Sequence, residues 1–72
     1  MKEINMVDIG KRIKELRVAQ HIKQADLANA IGVATNTVCQ YEKGTSKLSI
    51  DVLINLAEFF DISTDYLLCL ID

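Results

Sequence analysis

Two amphipathic segments in this chain are joined by almost nothing, and that limits the folds open to it. Leu27 and Ile31 mark a short helix over roughly residues 24 to 31, and a second helical segment begins about Ala34 and stops before Gly44. Only Ile31, Gly32 and Val33 remain as a connection. A link that short does not let two helices lie flat in antiparallel contact and requires a steep crossing. The residues suit such a crossing. Ala28 is small where the helices press together, Gly32 can take the positive φ of the turn, and Leu27, Ile31, Val33, Val38 and Tyr41 supply apolar contacts.

Three further helices can be read around this pair. Ile9, Ile13 and Leu16 fall at i, i+4 and i+7, with Lys11, Arg12, Lys14 and Glu15 on the other side, which predicts a first helix opened by Asp8 as N-cap and closed near His21. His21 is then expected in a left-handed conformation, as a helix-closing residue rather than a catalyst or ligand. Ser49 caps a fourth helix carrying Val52, Leu53, Leu56, Ala57 and Phe60, with Asp51 in its first turn to suit the helix dipole. Ser63 repeats the signal before a fifth helix with Tyr66, Leu67 and Leu70 on its apolar side. No stretch alternates with period two over a strand's length. The fold class is therefore all-α, a compact five-helix bundle. With no proline, repeat or low-complexity tract to mark a linker, it is expected to be one domain over 1–72 with its core at about 9–70.

A 72-residue chain buries only about 60% of the surface its unfolded form exposes, so the core is small. Half of the residues are hydrophobic and a quarter charged, too apolar a mixture for a disordered chain. Net charge is −2, but its distribution says more: all eight basic residues lie at or before Lys47, against five acidic ones, and beyond it stand five acidic residues and no base. Such an asymmetry can turn one side of a molecule towards a polyanion. No segment has the apolar length of a signal peptide or membrane span, so a cytoplasmic protein is expected. Cys39 and Cys69 lack metal-ligand or CxxC spacing and are expected as free thiols, with no metal site and no cofactor. One histidine, no carboxylate pair beside a nucleophile and no phosphate-binding glycine loop give an enzyme almost no support. With no second domain expected, no small-molecule pocket can be argued.

The helix before Gly44 is unusual in what it points outwards. On a wheel at about 100° per residue, with Ala34 at zero, Val38 and Tyr41 face the core, with Thr37 and Glu42 on the flanks. Thr35, Asn36, Cys39, Gln40 and Lys43 occupy the opposite arc. That face is short, polar and mostly uncharged, where soluble helices commonly carry lysine and glutamate. Asparagine and glutamine can pair bidentately with adenine N6 and N7, and a threonine methyl can meet a thymine methyl. No arginine lies on the arc, and arginine to guanine is the commonest specific base contact, so A·T pairs are the expected target.

With "IGKRIKELR", "QADLANAIGV", "TVCQYEKG" and "LSIDVLINLAEFF", the chain resembles the Cro and phage-repressor-like (XRE) family of helix-turn-helix DNA-binding domains over roughly Ile9 to Leu70. The resemblance implies a lambda-repressor-like bundle whose third helix enters the major groove of double-stranded DNA while the second lies over the phosphate backbone, acting as a dimer on two half-sites. By position, Thr35, Asn36 and Gln40 are the base-contacting candidates. Gln24 matches a phosphate-holding position, and Lys43, Thr45, Ser46 and Lys47 form the loop that can grip the same backbone. Lys11 and Arg12 can add long-range attraction. Arg17 and Glu42 are implied as a structural salt bridge between the first and third helices. Lys23 and Ala34 stand where the family usually places capping side chains, and Leu48 where proline is common, departures that bear on stability more than on function.

Phe59, Tyr66 and Leu70 belong to an apolar surplus in the last two helices and are expected at a homodimer contact. The function expected is a sequence-specific transcriptional regulator, most simply a repressor. An antitoxin that also binds a toxin, and a protein-interaction module of the same fold, are the alternatives; the acidic, apolar C-terminal half suits a protein contact.

Overall fold

The structure is a computed structural model that describes residues 3 to 71; Lys2 and Asp72, counted in the charge asymmetry, lie outside the described residues. Five helices follow one another: α1 (Met6–Ala19), α2 (Gln24–Ile31), α3 (Thr35–Lys43), α4 (Ile50–Phe60) and α5 (Thr64–Leu67), with no strand among the described residues.

α1 starts earlier than the apolar spacing suggests. Its N-cap is Asn5, whose Oδ1 accepts from the backbone N–H groups of Val7 at 2.9 Å and Asp8 at 3.3 Å. Asp8 is thus not the cap; it sits in the first turn, where its charge meets the positive end of the helix. At the other end Gln20 closes the helix and His21 takes φ 58°, while Ile22 N–H returns to Arg17 C=O at 3.1 Å. α2 and α3 start from Lys23 and Ala34, neither of which makes a side-chain cap, and stop at Gly32 (φ 75°) and Gly44 (φ 78°). Ser49 and Ser63 cap α4 and α5 through their hydroxyl oxygens, each accepting at 3.1 Å, from Val52 and Tyr66 N–H. α5 is a single turn and does not reach Leu70. Leu68 closes it, Cys69 turns left-handed at φ 62°, and Leu70 N–H bonds back to Asp65 C=O at 2.9 Å.

One cluster of buried side chains draws on all five helices. It contains Ile9 and Ile13 of α1, Leu27, Ala28 and Ile31 of α2, Val38 and Tyr41 of α3, Val52, Leu56 and Phe60 of α4, and Leu67 of α5. Each large aliphatic or aromatic member contributes about 1.5–3 kcal/mol by leaving water. Gly10 permits the closest approach in this arrangement. A Cβ there would collide with the carbonyl oxygen of Tyr41 and lie 2.7 Å from that of Glu42, so α1 meets the last turn of α3 backbone to backbone. No helix among the described residues is long and apolar enough to cross a membrane.

Candidate nucleic-acid interface

α3 is held from behind by packing and by ions. Val38 is fully buried and Tyr41 nearly so. The Glu42 carboxylate, only 4% exposed, takes Arg17 in a fork: Nε to Oε2 at 2.6 Å and Nη2 to Oε1 at 3.1 Å. Arg17 Nη1 also donates to Ile22 C=O at 2.9 Å, which ties the α1–α2 corner into the same joint. The hydrogen bond to Glu42 and its charge raise the Arg17 pKa above the ordinary arginine value, against the lowering by burial. The guanidinium stays charged.

The opposite side of α3 is open. Thr35, Asn36, Gln40 and Lys43 are exposed, while Thr37 and Cys39 are half-buried. Among the described residues the side chains of Thr35, Asn36 and Gln40 make no hydrogen bond, so their donors and acceptors face solvent. The α3 N-terminus starts at Ala34 without a capping side chain.

The residues expected at phosphates divide into two groups. Lys43 and Lys47 are exposed and carry no ion pair among the described residues. Gln24, first residue of α2, is half-buried and donates from Nε2 to Glu42 Oε1 at 3.0 Å, which leaves one amide N–H for another acceptor. Thr45 is turned back: its hydroxyl donates to Gln40 C=O at 3.3 Å and its N–H bonds the same carbonyl at 3.0 Å, so it closes α3. Ser46 is half-buried beside it.

Arg12 keeps its charge, but its guanidinium is held by the C-terminal segment rather than extended into solvent. Its guanidinium lies 4.2 Å from the centroid of the Tyr66 ring and its Nη1 donates to Tyr66 C=O at 2.6 Å and to Ile71 C=O at 3.3 Å. It clamps the stretch from Tyr66 to Ile71 onto α1, a role that only the fold reveals, because its partners are 54 and 59 residues away. Of the residues expected at a dimer contact, Phe59 is 40% exposed, whereas Tyr66 and Leu70 are half-buried. Ile50 and Ile54 of α4, at 75% and 43%, are more exposed than either, although the apolar spacing of α4 does not single them out. Among the described residues no three His, Cys, Asp or Glu side chains come together as metal ligands.

Comparison with known proteins points the same way as this geometry. A profile of the family described as "Helix-turn-helix" (HTH_3) matches residues 13–67. The cryptic phage CTXphi transcriptional repressor RstR of Vibrio cholerae is 39% identical over 53 residues, covering 74% of this chain and 48% of RstR. Among solved structures, the restriction-modification controller protein C.AhdI of Aeromonas hydrophila superposes with a TM-score of 0.81 at 31% identity, over 90% of this chain and 98% of that one. The P22 c2 repressor, solved in complex with a synthetic operator, superposes with a TM-score of 0.80 at 32% identity, over 83% of this chain and 91% of its own. The chain spans about half the length of RstR and 16% of that of two Pyrococcus relatives.

Proposed function

This chain belongs to the helix-turn-helix family of Cro and phage-repressor-like proteins, and from that premise we propose that it is a single DNA-binding domain that regulates transcription, most simply as a repressor occluding a promoter. The observation that carries this reading is the contrast across α3: a helix pinned by Val38, Tyr41 and the Arg17–Glu42 pair presents Thr35, Asn36 and Gln40 unbonded to solvent. Amide and hydroxyl groups with no partner within the chain, on a helix held firmly from behind, suit the reading of base edges in a major groove. In this reading Thr35, Asn36 and Gln40 contact bases. Lys43, Lys47 and the second amide N–H of Gln24 hold phosphates, Gln24 being helped by the positive end of α2. Thr45 and Ser46 shape the loop that carries Lys47. RstR and the P22 protein, both named as repressors, support the repressor reading over an antitoxin.

A homodimer completes the proposal, because two half-sites double the contacts of so small a reader. Its contact is assigned to the last two helices and the turn after them, with the exposed Phe59 and the half-buried Tyr66 and Leu70 as the contact residues. The test is selection from a randomised duplex library, followed by retesting of the enriched site with Asn36→Ala at two salt concentrations. A two-fold symmetric site whose preference relaxes in the variant supports a dimeric reader; weak, salt-sensitive binding with no enrichment rejects it.

A further inference from the structure

We propose that the bases under α3 are A·T pairs, because both arginines and the one carboxylate of α3 are held in contacts within the fold and away from its reading face. The inference rests on the DNA-reading function proposed above and adds the class of site. A guanine in the major groove presents two acceptors, O6 and N7, which an arginine or lysine fills, and a cytosine presents an N4 donor, which a carboxylate accepts. This chain has two arginines, Arg12 and Arg17, both on α1. Arg17 is consumed by Glu42 and the Ile22 carbonyl. Arg12 is consumed by the Tyr66 ring and the carbonyls of Tyr66 and Ile71. Releasing Arg17 would strand the buried Glu42 carboxylate, so it is not a reserve for DNA.

The acceptor side is closed in the same way. Glu42 is the only carboxylate in α3, and it is turned inwards onto Arg17 and Gln24. Lys43 is the one basic residue of α3 and stands at its last position, whereas helices of this kind read bases with their N-terminal residues. What remains at the front is amides and hydroxyls. The carboxamides of Asn36 and Gln40 each offer a donor beside an acceptor, the pattern that matches adenine N7 and N6, and the Thr35 methyl suits the thymine methyl. The same two commitments remove arginine from a narrow minor groove, so A·T preference here comes from major-groove contacts and not from arginine reading groove width.

The full chain is taken through selection on randomised duplex, and the enriched site is rebuilt with 7-deazaadenine, which lacks N7, or with uracil in place of thymine, which lacks the methyl. A·T pairs at the central half-site positions are expected, with binding about tenfold weaker when a contacted adenine loses N7. Gln40→Arg is expected to bring a guanine into one half-site position while melting at the parent's temperature, since Gln40 is exposed. A symmetric site with G·C pairs at those positions, relaxed by Asn36→Ala, overturns this inference and leaves the DNA reader standing. An unchanged A·T preference in a folded Gln40→Arg removes Gln40 from the base contacts and also counts against it. Failure to enrich any site rejects the DNA-reading function itself.

Discussion

On the inner side of α3, Val38 has no exposed surface and Glu42 holds three hydrogen bonds, to Arg17 twice and to Gln24. On the outer side, less than one turn away, Asn36 and Gln40 are exposed and their side chains bond to nothing among the described residues. The two faces answer to different forces. The inner face is set by burial and by the cost of an unpaired charge, so its chemistry is fixed by the fold. The outer face makes no side-chain hydrogen bond among the described residues, and the proposed reading assigns its amides to DNA.

Substitutions that act on the inner face test this contrast most strongly. Glu42→Ala removes one partner of a largely buried pair, leaves the Arg17 guanidinium without its carboxylate and frees the Gln24 amide. A loss of about 3–5 kcal/mol is expected, which for a domain of this size lowers the melting temperature by more than about 12 °C. Urea denaturation measures it, and a loss below about 1 kcal/mol would show that the pair behaves like an ordinary surface bridge. Gly10→Ala comes next. Its methyl group meets carbonyl oxygens rather than the end of a flexible side chain, so α3 must shift away from α1. Overpacking of this kind costs about 1–3 kcal/mol. Under conditions where the variant remains folded, DNA binding should also weaken, although residue 10 is buried behind the reading face. Unchanged binding by a folded Gly10→Ala would detach the reading face from its seat.

The sequence makes some of this contrast legible and hides the rest for physical reasons. The ends of α2 and α3 and the start of α4 can be read because glycine and serine act locally: Gly32 and Gly44 adopt the left-handed conformation, and the Ser49 hydroxyl reaches only three residues along. The outward arc of α3 follows from a period of 3.6 and two buried anchors. The start of α1 is obscured because Asn5 precedes the first regularly spaced isoleucine, and the end of α5 because the apolar pattern runs on to Leu70 after the backbone has turned at Cys69. Gln24 and Arg12 cannot be placed from sequence, since their partners lie 18 and 54 residues away. Gly10 does leave a signal, because a glycine inside a helix costs about 1 kcal/mol relative to alanine and calls for a packing reason.

The helix starts give a smaller effect of opposite sign. Lys23 and Ala34 occupy N-cap positions in extended conformation, with φ −76° and −73°, and offer no side-chain acceptor. Lys23→Ser and Ala34→Ser should each stabilise the domain by about 1 kcal/mol, read as a rise in denaturation midpoint with an unchanged slope. Lack of any gain would mean that these helix ends are already satisfied by solvent, and that the missing caps have no bearing on how firmly α3 is held.

The smallest effect on stability is expected at the outer face, and its smallness is informative. Asn36→Ala and Gln40→Ala remove exposed amides that bond to nothing in the chain, and alanine is the better helix former. Stability should stay within about 0.5 kcal/mol of the parent, with a slight gain at Asn36. A residue whose removal leaves the fold intact or improves it is not retained by the fold, whereas removing one bidentate pairing with a base costs about 1–3 kcal/mol of discrimination. Thermal melts and DNA titrations on the same preparations therefore separate the two faces: inner substitutions move the melt and carry binding with it, and outer ones move binding alone. If Asn36→Ala or Gln40→Ala instead lowered stability by more than about 1 kcal/mol, these amides would be serving the helix itself, and the polar face of α3 would no longer need DNA to explain it.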